Sequence, residues 1–112
     1  MLNKKVAELL NEQINKEFYS AYLYLDFSNY YYNEGLDGYG NWYYVQDQEE
    51  RDHAILMLQY MRNNGMEVTL EAIDKPDKEL KSPEDPLKYG LEHEIYVTSL
   101  IHNIYAECVK EN

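Results

Sequence analysis

Glu50-Arg51-Asp52-His53 sets a carboxylate and an imidazole three residues apart. On a helix that spacing stacks both on one face, about a turn apart, so both can reach one cation in a bundle interior. The same spacing recurs in carboxylate-bridged di-iron sites, where helices supply Glu-x-x-His and single Glu ligands. Two more carboxylates have the placement such a site needs. Glu17 lies in the middle of the apolar face of an earlier helical stretch, and Glu94 lies likewise in a later one. A carboxylate in such a place is costly to bury unless something pairs with it. One imidazole with several carboxylates suits iron, manganese or zinc and shows no preference for a soft ion. Two of the carboxylates could terminate and one could bridge, which is how two adjacent irons are held. Without metal, the pKa values of the buried acids would have to rise.

The elements that position these groups read as three helices. In the first, over residues 3–33, Val6, Leu9, Leu10, Ile14, Phe18, Ala21 and Leu25 recur at helical spacing with no Pro or Gly between them. At about 1.5 Å per residue it would be some 45 Å long, the scale of a bundle element. Gln13, Glu17, Ser20 and Tyr24 run down the same side as Ile14 and Ala21. Asn33-Glu34-Gly35-Leu36-Asp37-Gly38 is a tight turn, and so short a loop implies an antiparallel neighbour. Asp37 is the expected N-cap of the next helix.

The second helix is expected over 38–64. Trp42, Val45, Glu49, His53, Leu56 and Tyr60 share a broad face with Gln46, Glu50 and Met57, and Gly65 supplies the stop. Residues 66–81 do not read as a helix, and Pro76 breaks any continuation. A connection that long suggests a crossover along the bundle, which would set the third helix parallel to the second. The third helix is expected over 83–111. Ser82 would be its N-cap, Pro83 its first residue, and Glu84 and Asp85 the acids of its first turn. Pro86 is awkward there, and Gly90 should cost about 1 kcal/mol relative to Ala. The crowd of Tyr30-Tyr31-Tyr32, Tyr39 and Tyr43-Tyr44 reads as amphipathic surface and interface packing.

Length bounds the chain to one domain, residues 1–112. With 21 acidic and 10 basic residues the net charge is −11. Such a surface repels phosphates, so a non-specific nucleic-acid role is not expected, while excess carboxylate suits cations. The single Cys108 allows no internal disulfide and fits a reducing compartment. No leader and no apolar run of transmembrane length is read, so no membrane role is expected and the location read is cytoplasmic.

Three stretches carry a family resemblance. They are Leu9-Leu10-Asn11-Glu12-Gln13-Ile14-Asn15-Lys16-Glu17-Phe18-Tyr19-Ser20-Ala21-Tyr22-Leu23-Tyr24-Leu25, then Gln48-Glu49-Glu50-Arg51-Asp52-His53-Ala54, then Leu91-Glu92-His93-Glu94. Together they resemble the ferritin family, its bacterial non-haem members in particular, over essentially the whole chain. The resemblance implies a ferritin-like all-α helical bundle with one long crossover. It implies assembly with copies of itself, twenty-four in the family's hollow shell. It further implies oxidation of Fe(II) to Fe(III) by dioxygen or hydrogen peroxide at a di-iron ferroxidase site, with the ferric mineral stored inside. By position, Glu17, Glu50 and His53 resemble ligands of the first iron, with Glu50 bridging, and Glu94 a ligand of the second. Tyr24 matches the tyrosine beside that centre, a candidate for hydrogen bonding and electron transfer. Glu49 resembles a carboxylate of the accessory third iron site.

Family members continue into a fourth long helix and usually a short fifth, for which these 112 residues hold no counterpart. The resemblance is thus to a shortened member, whose uncovered apolar faces should be filled by neighbouring copies. Two other readings differ in chemistry. One is a shortened ferritin-like helical assembly protein with weak or no ferroxidase activity. The other is a small di-metal oxygenase or peroxidase, a class that usually needs a second Glu-x-x-His where this sequence has one.

Overall fold

A computed structural model describes residues 3–110; residue 111, the expected end of the third helix, lies outside them. The fold is all-α. Helix α1 spans Lys4–Asn33, α2 spans Asp37–Asn63 and α3 spans Glu84–Lys110, and no strand occurs among the described residues.

Each helix end has a chemical cause. The Asn3 side chain caps α1 by accepting from the amides of Lys5 (2.8 Å) and Val6 (3.4 Å). Past Asn33, Gly35 adopts φ +74°, a left-handed conformation that a side chain disfavours. There the Leu36 amide donates back to the Tyr31 carbonyl (2.8 Å) and the Gly35 amide to Tyr32 (3.1 Å), which closes a Schellman motif. The end of α2 repeats the pattern at Gly65, with the Met66 amide donating to Met61 (3.0 Å). Asp37 is not the N-cap of α2. It is the first helical residue, and Leu36 holds the cap position with no side-chain bond. Its carboxylate therefore meets the positive end of the helix dipole rather than an orphan amide.

At α3 the cap works in the direction opposite to the expected one. The Asp85 carboxylate reaches back to accept from the amides of Ser82 (3.1 Å) and Lys81 (2.8 Å), as the third position of a capping box does. Pro86 has no amide to offer the Ser82 carbonyl, and the Asp85 amide takes that acceptor instead (3.0 Å). The helix thus absorbs the proline in its first turn.

Contacts fix the directions. Ser28 bonds Gly40 across the first turn, and Glu17 lies beside Glu50, so α1 and α2 are antiparallel. Tyr31 reaches Pro83, Tyr24 reaches Glu94 and Lys16 reaches Tyr96, so α3 is antiparallel to α1 and parallel to α2. The segment between runs back along α1. Asn11 pins Thr69 by accepting its amide (2.8 Å) and donating to its carbonyl (3.2 Å), and Asn15 accepts the Glu71 amide (2.7 Å). Helix α1 is thus the central element. It packs on both other helices, while the backbones of α2 and α3 stay apart.

Two apolar clusters flank the middle of α1. One holds Ala7, Ile14, Ala54 and Met61. The other holds Leu23, Tyr24, Phe27, Tyr31 and Tyr43. Two of the crowded tyrosines are therefore core, not surface. Tyr31 and Tyr43 bury their rings because their hydroxyls reach the carbonyls of Pro83 (2.6 Å) and Pro86 (3.2 Å) at the start of α3. The inner face of α2 also differs in phase from the expected one. Tyr43, Asp47, Glu50, Ala54 and Met61 face α1, while Trp42, Val45, Leu56 and Tyr60 are exposed. On α3, Leu87, Leu91, Ile95, Ile101 and Tyr105 are exposed as well. No helix among the described residues is long and apolar enough to cross a membrane.

Candidate metal centre

Between the two clusters the interior of α1 turns polar. Gln13, Glu17 and Ser20 are buried there, spaced by one turn, opposite the buried Glu50 of α2. Helical periodicity alone brings them onto one stripe, because residues three and four apart share a face.

Glu17, Glu50 and His53 converge. One ligand atom from each lies within 4.8 Å of the others, a spacing that a single cation can bridge. His53 Nδ1 is 3.7 Å from Glu50 Oε2, which is the Glu-x-x-His pair formed as read from the sequence. The imidazole is exposed while both carboxyls are buried, so the cluster opens toward solvent on the His53 side. Gln13 donates to Glu17 Oε1 (2.8 Å) and fixes that carboxylate. Glu17 Oε2 is buried with no hydrogen-bond partner. An orphaned carboxylate oxygen in the interior is a strong demand for a cation or a proton.

The proton goes to Glu50. Burial raises its carboxyl first, and the neighbouring Glu17, Glu94 and Glu49 raise it further, so that it is pushed up to about 9. Once protonated, Glu50 can donate to Glu17. As two carboxylates they only repel. Without metal the pair of carboxyls would therefore hold a proton at neutral pH, and a cation that binds there would displace it.

Glu94 comes from α3 and stands outside that three-residue group. It accepts a hydrogen bond from the hydroxyl of the buried Tyr24. Burial, that bond, and the charges of Glu94 and Glu50 raise the Tyr24 phenol far above the ordinary tyrosine range. Glu94 lies near enough to Glu50 for its charge to raise the Glu50 carboxyl. Glu49 is exposed on α2 and adds a weaker push to Glu50. The structure thus joins Glu17, Glu50 and His53 directly, ties Tyr24 to Glu94, and leaves Glu49 at the periphery.

One pair escaped the sequence reading. Ser20 Oγ lies 2.6 Å from His93 Nε2, and the His93 ring meets Tyr24 edge-on at 5.9 Å. Burial lowers the His93 pKa, against the pull of Glu94 and Glu17, so the imidazole is neutral. The position of Ser20, one turn beyond Glu17 on the same stripe, was the only signal in the sequence. Asp47 was also missed. It is buried because Arg51, one turn on, bonds it at 3.4 Å.

This architecture has relatives. The model of the ferritin-like domain matches residues 7–112. A bacterial non-heme ferritin of Campylobacter jejuni is 39% identical over 104 residues, covering 93% of this chain and 62% of that protein. A probable bacterial non-heme ferritin-like protein of Haemophilus influenzae is 33% identical, covering 99% of this chain and 67% of that one. The open-pore ferritin of the hyperthermophilic archaeon Archaeoglobus fulgidus superposes with a TM-score of 0.94 at 40% identity, over 99% of this chain and 68% of that chain. The chain therefore spans about two thirds of the length of these relatives, and its three helices have the ferritin-like arrangement.

Proposed function

The chain belongs to the ferritin family, and we propose that it binds Fe(II) as substrate and oxidises it to Fe(III) for storage and detoxification. The observation that carries this reading is the convergence of Glu17, Glu50 and His53 around the unpartnered Glu17 oxygen. In the proposal these three groups take the first iron, with Glu50 bridging to a second iron held by Glu94. Two Fe(II) give up one electron each, and dioxygen takes both with two protons to become hydrogen peroxide; hydrogen peroxide can serve as the oxidant in turn. Glu50 leaves its proton to solvent as iron enters. Tyr24 orients Glu94 through its hydroxyl, and Glu49 takes iron at an accessory third site.

Further parts of the proposal concern the whole protein. Residues 1–112 act as one ferritin-like domain in the cytoplasm. The exposed row of Leu91, Ile95 and Tyr105 supports association with further copies, since apolar surface of that extent gains from burial.

The test is Fe(II) oxidation by Glu50→Ala and His53→Ala variants, followed by ferric absorbance after mixing with dioxygen. Both should lose oxidation while far-ultraviolet circular dichroism shows helicity retained. Oxidation at the unaltered rate in both variants overturns the reading. It would leave the alternative of a ferritin-like assembly protein without turnover.

A further inference from the structure

We propose that two copies of this chain pair through α3, antiparallel and in register about Thr98, so that the partner's His102 stands beside Glu94 as an imidazole ligand for the second iron. The inference rests on the iron-binding reading above, which gives that iron only Glu94 and the bridging Glu50 from this chain.

The outer face of α3 carries the argument. At 3.6 residues per turn, Leu87, Leu91, Thr98, Tyr105 and Val109 run along one stripe, with Ile95 and Ile101 at its two edges. The large apolar members are all exposed, from Ile101 at 42% to Tyr105 at 70%. The row reads alike in both directions. Reversed about Thr98, Leu87 falls on Val109, Leu91 on Tyr105 and Ile95 on Ile101, apolar on apolar at each level. Glu94 and His102 lie within the same stripe, both exposed, one turn to either side of Thr98. The same reversal lays one on the other. A shift of one turn either way loses one of these apolar pairs and sets Glu94 against Thr98 or Ala106. Parallel pairing sets Glu94 against Glu94, carboxylate on carboxylate. The antiparallel register also brings Glu84, in the first turn of α3, near the partner's Lys110 in the last, and opposes the two helix dipoles. Each chain carries a net charge of −11, so a stable pair has to set cation against carboxylate.

Glu94 is open to such a partner. It lines a cleft of about 250 Å³ with Leu87 and Leu91 of its own helix and Trp42 of α2. Tyr24 takes its Oε1, which leaves Oε2 for a cation. Of the three histidines, His53 pairs with Glu50 and His93 with Ser20, which leaves His102. An imidazole added to carboxylates is a donor set that suits iron.

The experiment takes the full chain through sedimentation velocity over a dilution series, with and without Fe(II) under anaerobic conditions, and counts bound Fe(II) by equilibrium dialysis. The unaltered protein should reach twice the 13.4 kDa chain mass. An ion held across the interface favours the dimer by mass action, so Fe(II) should tighten the pair about tenfold. His102→Ala should still pair without metal, bind fewer Fe(II) per chain and lose the tightening. The register is read by air oxidation of metal-free protein in a Cys108→Ser background. Thr98→Cys lies on the two-fold axis and should cross-link to its own copy. Leu87→Cys should not, since its counterpart lies about 33 Å away at the other end of the pair. A chain that binds Fe(II) yet stays monomeric at every concentration overturns the pairing alone. A dimer in which His102→Ala keeps both the Fe(II) count and the tightening overturns the ligand. Cross-linking by Leu87→Cys and not by Thr98→Cys overturns the register, and the ligand with it. An unaltered protein that binds no Fe(II) overturns the iron-binding reading and the inference together.

Discussion

Gln13 holds one oxygen of Glu17 at 2.8 Å from the preceding turn of the same helix, and the other oxygen is left buried without a partner. That division determines how the pocket responds to pH. Glu17 is oriented but not satisfied, and burial together with that neighbour lets Glu50 retain a proton to about 9, well above the ordinary carboxyl range. In the iron-free protein the folded state keeps a proton that the unfolded chain releases above about pH 4.5, so the folded state binds more protons between the two values.

Stability of the iron-free protein should therefore be full below about pH 4.5 on this account and be lost as pH rises toward about 9. The measurement is the urea midpoint across that window. Glu50→Gln keeps a neutral group of the same shape and should flatten the dependence. An equal decline in both proteins would place the effect on other groups.

Gly90 carries a packing constraint hidden behind its poor helix propensity. A Cβ built there would stand 2.6 Å from the Tyr43 hydroxyl. Gly90→Ala should gain about 1 kcal/mol of propensity and lose about 1–3 kcal/mol to overpacking, a net destabilisation of up to about 2 kcal/mol. In a Tyr43→Phe background the nearest ring atoms are at ordinary contact distance, the next being 3.5 Å away. There the same substitution should stabilise. A thermal-melt double-mutant cycle reads the change of sign, and additive effects would count against the contact.

The crossover should loosen at single amides when its asparagine clamps are removed. Asn11→Ala frees the Thr69 amide and Asn15→Ala frees the Glu71 amide. Each lost bond is worth about 1 kcal/mol, or about a fivefold rise in exchange rate. Hydrogen exchange resolved by residue should show each rise at its own amide. Uniform acceleration across α1 would mean that the helix itself had been disturbed.

Much of this centre was legible because a helix period is enough to stack Glu50 on His53 and to place Glu17 inside. The phase of α2 was not. Hydropathy assigns Trp42 and Val45 inward and Asp47 outward, yet Asp47 is buried against Arg51 and Trp42 is exposed. The face a helix buries is chosen by its neighbour, and among the three helices the backbone of α2 lies close to α1 alone. The buried tyrosines were illegible for a related reason. Tyr31 and Tyr43 enter the core because carbonyls near a proline-rich helix start meet their hydroxyls, and that meeting exists only once α3 has docked. Ser20 and His93 are likewise 73 residues apart in sequence and bonded in space.

The position of α1 between its two partners also sets an order of assembly. Glu17, Glu50 and His53 all belong to the α1–α2 hairpin, whose short turn makes its closure entropically inexpensive. Glu94 arrives only with α3, whose bond to Tyr24 spans 70 residues. Contacts of that separation form late in folding. On the proposed iron-binding role, the hairpin would capture a first cation while the chain is still incomplete, and the captured ion would favour the folded hairpin by mass action. Nascent protein would then meet its cargo as a folding ligand before it could turn any over.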